Sequence, residues 1–530
     1  MFVNGNELKA PVREKCDICI IGAGVAGIVL ANELKNYPGR VVLVEGGDIN
    51  FSMESQEVYK ADGKPDIFPD PNYSRLRFLG GSSNHWENNT CPFDPIDFEY
   101  RDWIPNSGWP ISYQDIAPFY VQAQKYVGVE SNGYEADFWS KKLGLKDIWS
   151  DSKVCRTGIS KYAFTPSRFF ANHGESLKKQ ENLAIYYNTN LLDVGYEPST
   201  EKVTSAHCRT FSGQDIHIEA GAFVICLGGL ENARALLSFN EMHNDKIGNQ
   251  KGSVGCYFME HPTARATQFA SNKDEKEFQL YEFHQRDEGG VLGYTCLSKS
   301  ALQDNQTVNI RVPFTRSTQY EMSDGISSSH ILKSIFKGNW PDEAGSHFYN
   351  VISDLDMVME AVARKSFDSK LFEHADHFGG FTSPSMMEQT PERSNRLVLG
   401  NSKDKFGKKR LTVDFRVTQS DKDMFWKSMD LIAKEFGAQG LGRARLLKER
   451  SSRIWSSQLG FGQHHMGTTR MSENPETGVV DKDSRVFGTS NLFMGGSSVF
   501  STGGHVPPTL TICALSVRLA RYLESEVTTA

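Results

Sequence analysis

Late in the chain, GQHHMGTTRM runs from Gly462 to Met471 and sets two histidines side by side ahead of a glycine and two threonines. A neutral imidazole, with an ordinary pKa of about 6.5, can take a proton near neutral pH. The pair could also ligate a metal or be two ordinary loop residues. Adjacent side chains on an extended segment point to opposite faces, and no cluster of carboxylates or cysteines stands close in sequence to complete a coordination sphere. The spacing therefore argues against a metal, and the rest of the chain must decide the remaining choice.

Proton chemistry on a substrate needs elements that hold a partner for it. Near the N-terminus the run DICII, Asp17 to Ile21, leads into GAGVAG and then IVLANELK, whose apolar positions recur at helical spacing. This predicts strand, turn and helix. Gly22 permits the tight turn, Gly24 lets backbone approach a pyrophosphate, and Gly27 lets the helix pack closely on the strand. The phosphates are then expected at the helix N-terminus, where free amide hydrogens favour negative charge. A second strand, RVVLVE, ends at Glu45, close to the roughly 20-residue separation of an acid that binds ribose hydroxyls. The next informative stretch is RLRFLGGSSNHWENN, Arg75 to Asn89, in which Gly80, Gly81 and Ser82 can bring backbone close to a flat ring system, with Asn84, His85 and Trp86 immediately after. The fingerprint binds a dinucleotide but does not by itself separate NAD from FAD.

The totals narrow the classes. With 530 residues the chain exceeds a single core and is expected to form two intertwined domains. Apolar residues at 39% and charged residues at 23%, with a net charge of -7, describe a soluble globular protein without a nucleic-acid footprint. No run reaches the roughly 18 apolar residues of a membrane span, and the N-terminus shows no export signal, so a cytoplasmic, membrane-free protein is expected. The nine cysteines suit reduced thiols, and the CxxC of Cys16 and Cys19 falls on a strand with no second pair.

At this point the chain resembles the glucose-methanol-choline (GMC) family of FAD-dependent oxidoreductases, over most of its length. The fingerprint matches, and GGSSNHW is similar to the family's flavin-contacting loop, with WIPNSGWPISYQDIAPFYVQAQ resembling the segment after it. GAFVICLGGLENARALL resembles the return to the dinucleotide domain, VGCYFMEHP (Val254 to Pro262) the exit from it, and EQTPERSNRLVLG an entry strand of the substrate domain. The block from GVVDKDSRVFG to the final helix is similar to the one that closes the flavin site. NHW, ENAR, MEHP and HHMGTTRM look most like the branch that oxidises sugars and glycosides.

The resemblance implies an α/β fold: a Rossmann-type FAD-binding domain from residues 1–262 and 454–530, and an α+β substrate-binding domain on an antiparallel sheet from residues 263–453. RLTVDFRV suggests sheet there and MVMEAVARK a helical insertion. His464 matches the family's H-x-x-G-T base, with Gly467 and Thr468, while His465 is expected to pack or bond nearby. The family's second catalytic partner falls at Pro507, which has no polar side chain, so His505 is the expected substitute. Gly495 and Gly496 are expected near the flavin or its phosphates, and Pro508 and Thr509 at the start of a last helix whose amides favour charge on the reduced flavin. His85 stands where some relatives bond the flavin covalently; FAD held without that bond is the expectation, with Trp86 packing on its edge.

The implied activity is oxidation of a secondary alcohol on a sugar or glycoside to a ketone, with hydride to flavin N5, the proton to His464, and electrons passed to oxygen or a separate acceptor. Oxidation of a non-sugar alcohol, a non-redox flavin lyase, and a flavoprotein that serves only as a binding subunit are the alternatives.

Overall fold

The structure is a computed structural model that describes residues 1–527 apart from 287–288, 336–337, 339, 342, 367–376 and 449–450. Ile18, Cys19, Ile20 and Ile21 on the strand Val12–Ile21 are all 1% exposed or less, as a strand covered on both faces requires. That strand is central in an eight-stranded sheet of order Phe2–Asn4, Leu183–Tyr187, Val41–Val44, Val12–Ile21, Asp215–Ile225, Lys202–Thr210 and Thr189–Glu197. The pairings up to Asp215–Ile225 are parallel and the last two antiparallel. Leu492–Met494 pairs in parallel with the end of Asp215–Ile225, at Phe223 to Ile225, and so returns the C-terminal block to this sheet.

The helix Val25–Glu33 buries every residue but Val25. Such an all-round buried helix must be covered on both sides. It packs against the C-terminal helix Thr509–Glu526, which in turn packs against Tyr113–Tyr126.

A second core lies on an antiparallel sheet of six strands, built around Pro262–Ser271 and Phe378–Met387, with Ile310–Arg311, Gly442–Leu446, Thr315–Thr318 and Gly460–Phe461 beside them. The helix Gln419–Ala438 covers it with Phe425, Met429, Ile432 and Phe436, whose spacing of four, three and four residues keeps one apolar stripe on the sheet. The helix Leu355–Ser366 contains the MVMEAVARK stretch, and RLTVDFRV supplies the strand Lys409–Asp414, paired with Arg396–Lys403.

The two cores are more interleaved than the intervals 1–262, 263–453 and 454–530 imply. Cys155–Tyr162 pairs along its whole length with Gly289–Leu297, and Asn89–Thr90 joins the same four-stranded sheet. Ile96, Ile104 and Trp149 are buried in the second core, whereas Leu397, Leu411 and Val413 of the hairpin are buried in the first. Arg101, between Ile96 and Ile104, forms a bidentate pair with Glu388, at 2.8 and 2.5 Å, with side chains 1% and 0% exposed.

Candidate active site

A cavity of about 730 Å³ runs between the cores, from the fingerprint turn to the two adjacent histidines. That size lies within the range of cofactor and small-molecule sites, about 300 to 1,000 Å³. At one end, Gly22 adopts φ +109°, and a Cβ there would stand 2.4 Å from the carbonyl oxygen of Cys226. Gly27 permits close packing of the helix: a Cβ would stand 1.9 Å from the Gly22 carbonyl oxygen. Gly24 differs, since a Cβ built on it meets no protein atom within 4 Å and the residue lines the cavity.

Glu45 lines the same end. Its Oε2 accepts the N–H of Ala23 at 2.9 Å and its Oε1 that of Gly47 at 2.7 Å, which fixes the carboxylate beside the turn. Gly81, Ser82, His85 and Trp86 form the next part of the wall. Gly80 and Asn84 stand behind them: the Gly80 N–H bonds the Ala23 carbonyl at 2.9 Å, and Asn84 Nδ2 donates to the carbonyls of Leu79 and Gly81 at 3.1 and 2.9 Å. Burial, with a smaller push from Arg168, holds the His85 imidazole below its ordinary pKa. Trp86 donates from Nε1 to the Ser167 carbonyl at 2.6 Å. Gly496, Pro508 and Thr509 also line the cavity, with Thr509 opening the helix Thr509–Glu526. Gly495 lies behind the wall, its N–H bonded to the Ile225 carbonyl at 2.8 Å.

The far end is built by the second core as well, through Thr263, Arg311, Pro384 and Met386, facing Phe461 to His465 and Pro507. His464 Nδ1 lies 2.8 Å from His261 Nδ1. His261 Nε2 in turn lies 2.9 Å from the Gly504 carbonyl and 3.1 Å from that of Gly503. Among the described residues His464 Nε2 has no protein partner, and it is open to the cavity. Burial holds His464 well below its ordinary pKa, helped by His261, His465 and Arg311, so the imidazole is neutral at neutral pH. His465 packs its ring near those of Phe68 and Phe258, with centroids 6.1 and 6.0 Å away, and burial lowers its pKa to about 3.

The structure does not bring His505 to this site. It is 1% exposed and absent from the cavity wall, with Nδ1 4.0 Å from Asp94 and its ring centroid 6.0 Å from that of Tyr294. The carbonyls of Gly503 and Gly504 are turned to His261, and Pro507 takes the wall position. Asp94, Asp97 and His505 offer ligand atoms within 4.8 Å of one another, but Arg156 bonds Asp94, which disfavours a cation there. The polar neighbour that His464 does have is His261, within the MEHP stretch; 203 residues of separation gave the sequence no signal of that contact. Glu260, beside it, was equally hidden and accepts the main-chain N–H groups of His261 and His464 at 2.8 and 2.6 Å.

Residues 391–516 match the GMC oxidoreductase family. Over 96% of this chain and 95% of its own length, a 2-methyl-1,2-propanediol dehydrogenase of Mycolicibacterium austroafricanum is 23% identical to it. The fructose dehydrogenase large subunit of Gluconobacter japonicus is also 23% identical, over 95% of this chain and 97% of its own. Residues 391–516 are thus a GMC oxidoreductase C-terminal domain, and the two relatives carry the similarity along nearly the whole chain. An FAD-dependent oxidoreductase from Chaetomium thermophilum shares the fold, with a TM-score of 0.57 and 15% identity over 97% of this chain and all of that one (100%).

The cofactor of the GMC family is FAD, and the residues present fit it. Gly24 leaves open the space that a side chain would fill, the N-termini of the helices Val25–Glu33, Gly228–His243 and Thr509–Glu526 border the cavity, and Glu45 stands fixed beside the turn. The cavity is continuous from there to the open nitrogen of His464.

Proposed function

We propose that the chain as a whole is a GMC oxidoreductase that oxidises a secondary hydroxyl of a sugar or glycoside to a ketone, with His464 Nε2 taking the hydroxyl proton. The observation that carries the reading is a neutral imidazole whose one unbonded nitrogen opens on the cavity where both cores meet. When bound, FAD supplies the two-electron acceptor for the hydride. His464 accepts the proton at Nε2 while its Nδ1 stays bonded to His261. Gly22, Gly24, Gly27 and Glu45 hold the dinucleotide end; Gly81, Ser82, His85, Gly496, Pro508 and Thr509 border the flavin end, with Gly80, Asn84 and Gly495 supporting them. The electrons pass to oxygen or to a separate acceptor.

The fructose dehydrogenase relative supports a sugar substrate. The propanediol dehydrogenase relative favours a second reading, the same chemistry on a small non-sugar alcohol. An anaerobic titration of the flavin absorbance with sugars, glycosides and simple diols tests both. Bleaching by a sugar in the wild type and its strong slowing in His464→Ala support the proposal; bleaching by diols alone moves the substrate class; product formation with the flavin still oxidised indicates a lyase.

A further inference from the structure

The two ring nitrogens of His261 have different neighbours, and this difference decides where the protons of both imidazoles lie. Nε2 faces two carbonyl oxygens, of Gly504 at 2.9 Å and Gly503 at 3.1 Å. A carbonyl oxygen only accepts, so a lone pair at Nε2 would face two others, and the proton of neutral His261 must sit there. Nδ1 of His261 is then a bare acceptor. At 2.8 Å from it stands His464 Nδ1, which must be the donor. His464 is thereby left with its lone pair on Nε2, the nitrogen that opens on the cavity.

We propose that His261 is a positioning residue that fixes His464 as the Nδ1–H tautomer and so presents the basic lone pair to the substrate. The proposal rests on the reading of His464 as the base. The carbonyls of residues 503 and 504, in the very block where the second partner was expected, act through His261 rather than through a side chain of their own. In the proton step the substrate O–H bond breaks and the Nε2–H bond forms, while the Nδ1–H of His464 remains donated to His261. The charge that arises on His464 is shared along this hydrogen bond toward the two carbonyl dipoles. Glu260 holds the main chain of both histidines through Oε1 and adds a second constraint on their separation. The other groups whose charge bears on the pair are His465, Arg311 and Glu388.

The pair has a signature independent of turnover: the two rings must be opposite tautomers. Selective ¹⁵N labelling of histidine in the intact FAD-loaded protein, with His464→Gln and His261→Leu used for assignment, reads them directly. The expected spectrum has His261 protonated at Nε2 and His464 at Nδ1. A His464 ring protonated at Nε2 overturns the proposal. In kinetics, His261→Leu should retain FAD and lose about 10²-fold or more in kcat, within the range of a positioned general base. His261→Gln should recover much of that loss, because a carboxamide can both accept from His464 and donate to the Gly504 carbonyl. Equal kcat in His261→Leu and wild type also overturns the proposal. Full activity in His464→Ala would instead sink the base assignment while leaving the tautomer spectrum unchanged, so the two failures are distinguishable.

Discussion

Glu260 Oε1 accepts the main-chain N–H of His464 at 2.6 Å, across 204 residues of sequence. The same oxygen takes the N–H of His261 at 2.8 Å, and Gln389 Oε1 accepts the N–H of Glu260 itself at 3.0 Å. The carboxyl is 0% exposed, and burial pushes its pKa up to about 8 against the pull of the main-chain bonds. A group raised on folding contributes stability that is present below its unfolded pKa of about 4.3 and is lost as pH rises through the folded value. Glu260→Gln keeps the acceptor oxygen and removes the titration. Thermal unfolding of the wild type should therefore decline more steeply than that of the variant from mildly acidic pH to above the folded value. Parallel declines would show that the carboxyl does not carry this cost.

Burial keeps His464 unprotonated well below the usual imidazole range. The acid limb of kcat/KM should accordingly lie below about pH 6.5, and activity should persist into acid until the fold itself gives way. Arg311 adds to this depression, so Arg311→Leu should shift the limb to higher pH. A pH–rate profile with stable FAD content at every point checks it, and a shift in the opposite direction would refute the electrostatic account.

Gly24 and Gly27 belong to one motif and should fail differently. A side chain at Gly24 meets no protein atom and its φ of -82° suits any residue, so Gly24→Val should fold and lose FAD. Gly27→Val must drive a methine carbon against the Gly22 carbonyl oxygen and should lower soluble yield and Tm even without cofactor. Flavin absorbance per chain, measured beside thermal unfolding, separates the two.

His505 should matter little to the chemical step. Its burial away from the cavity predicts that kcat of His505→Gln stays within roughly tenfold of wild type, against the about 10²–10⁴-fold expected for loss of a general base. Steady-state kinetics on the FAD-loaded variant, compared with His464→Ala, decides it.

The Arg101–Glu388 pair is fully buried. Arg101→Met leaves a buried carboxylate uncompensated and should cost about 3–5 kcal/mol in denaturant unfolding. The double variant Arg101→Met with Glu388→Leu should recover most of that loss, since an apolar pair needs no counter-charge. Failure to recover would point to packing rather than charge.

What the sequence made legible was local. The turn from Gly22 to Gly27, the acid at Glu45 and the helix starting at Thr509 are each specified by neighbours a few residues apart, and they stand where those neighbours require. His261 and Glu260 could not be found that way, because their partner lies about two hundred residues on and MEHP has no spacing that encodes the contact. His505 misled for the converse reason: proximity along the chain to a wall position did not determine which way its ring would turn. The pairing of Cys155–Tyr162 with Gly289–Leu297 was hidden too, since antiparallel strands from distant segments leave no periodicity that links them.

The cavity wall draws on residues from Ile21 to Ile512. On the ribosome, the glycine turn emerges early, while Gly496, Pro508 and Thr509 are among the last parts of the site to be translated. A nascent chain can therefore form the fingerprint strand and its helix long before it can enclose a flavin. Enclosure of the cavity therefore waits for the residues around 510, however early the glycine turn has formed.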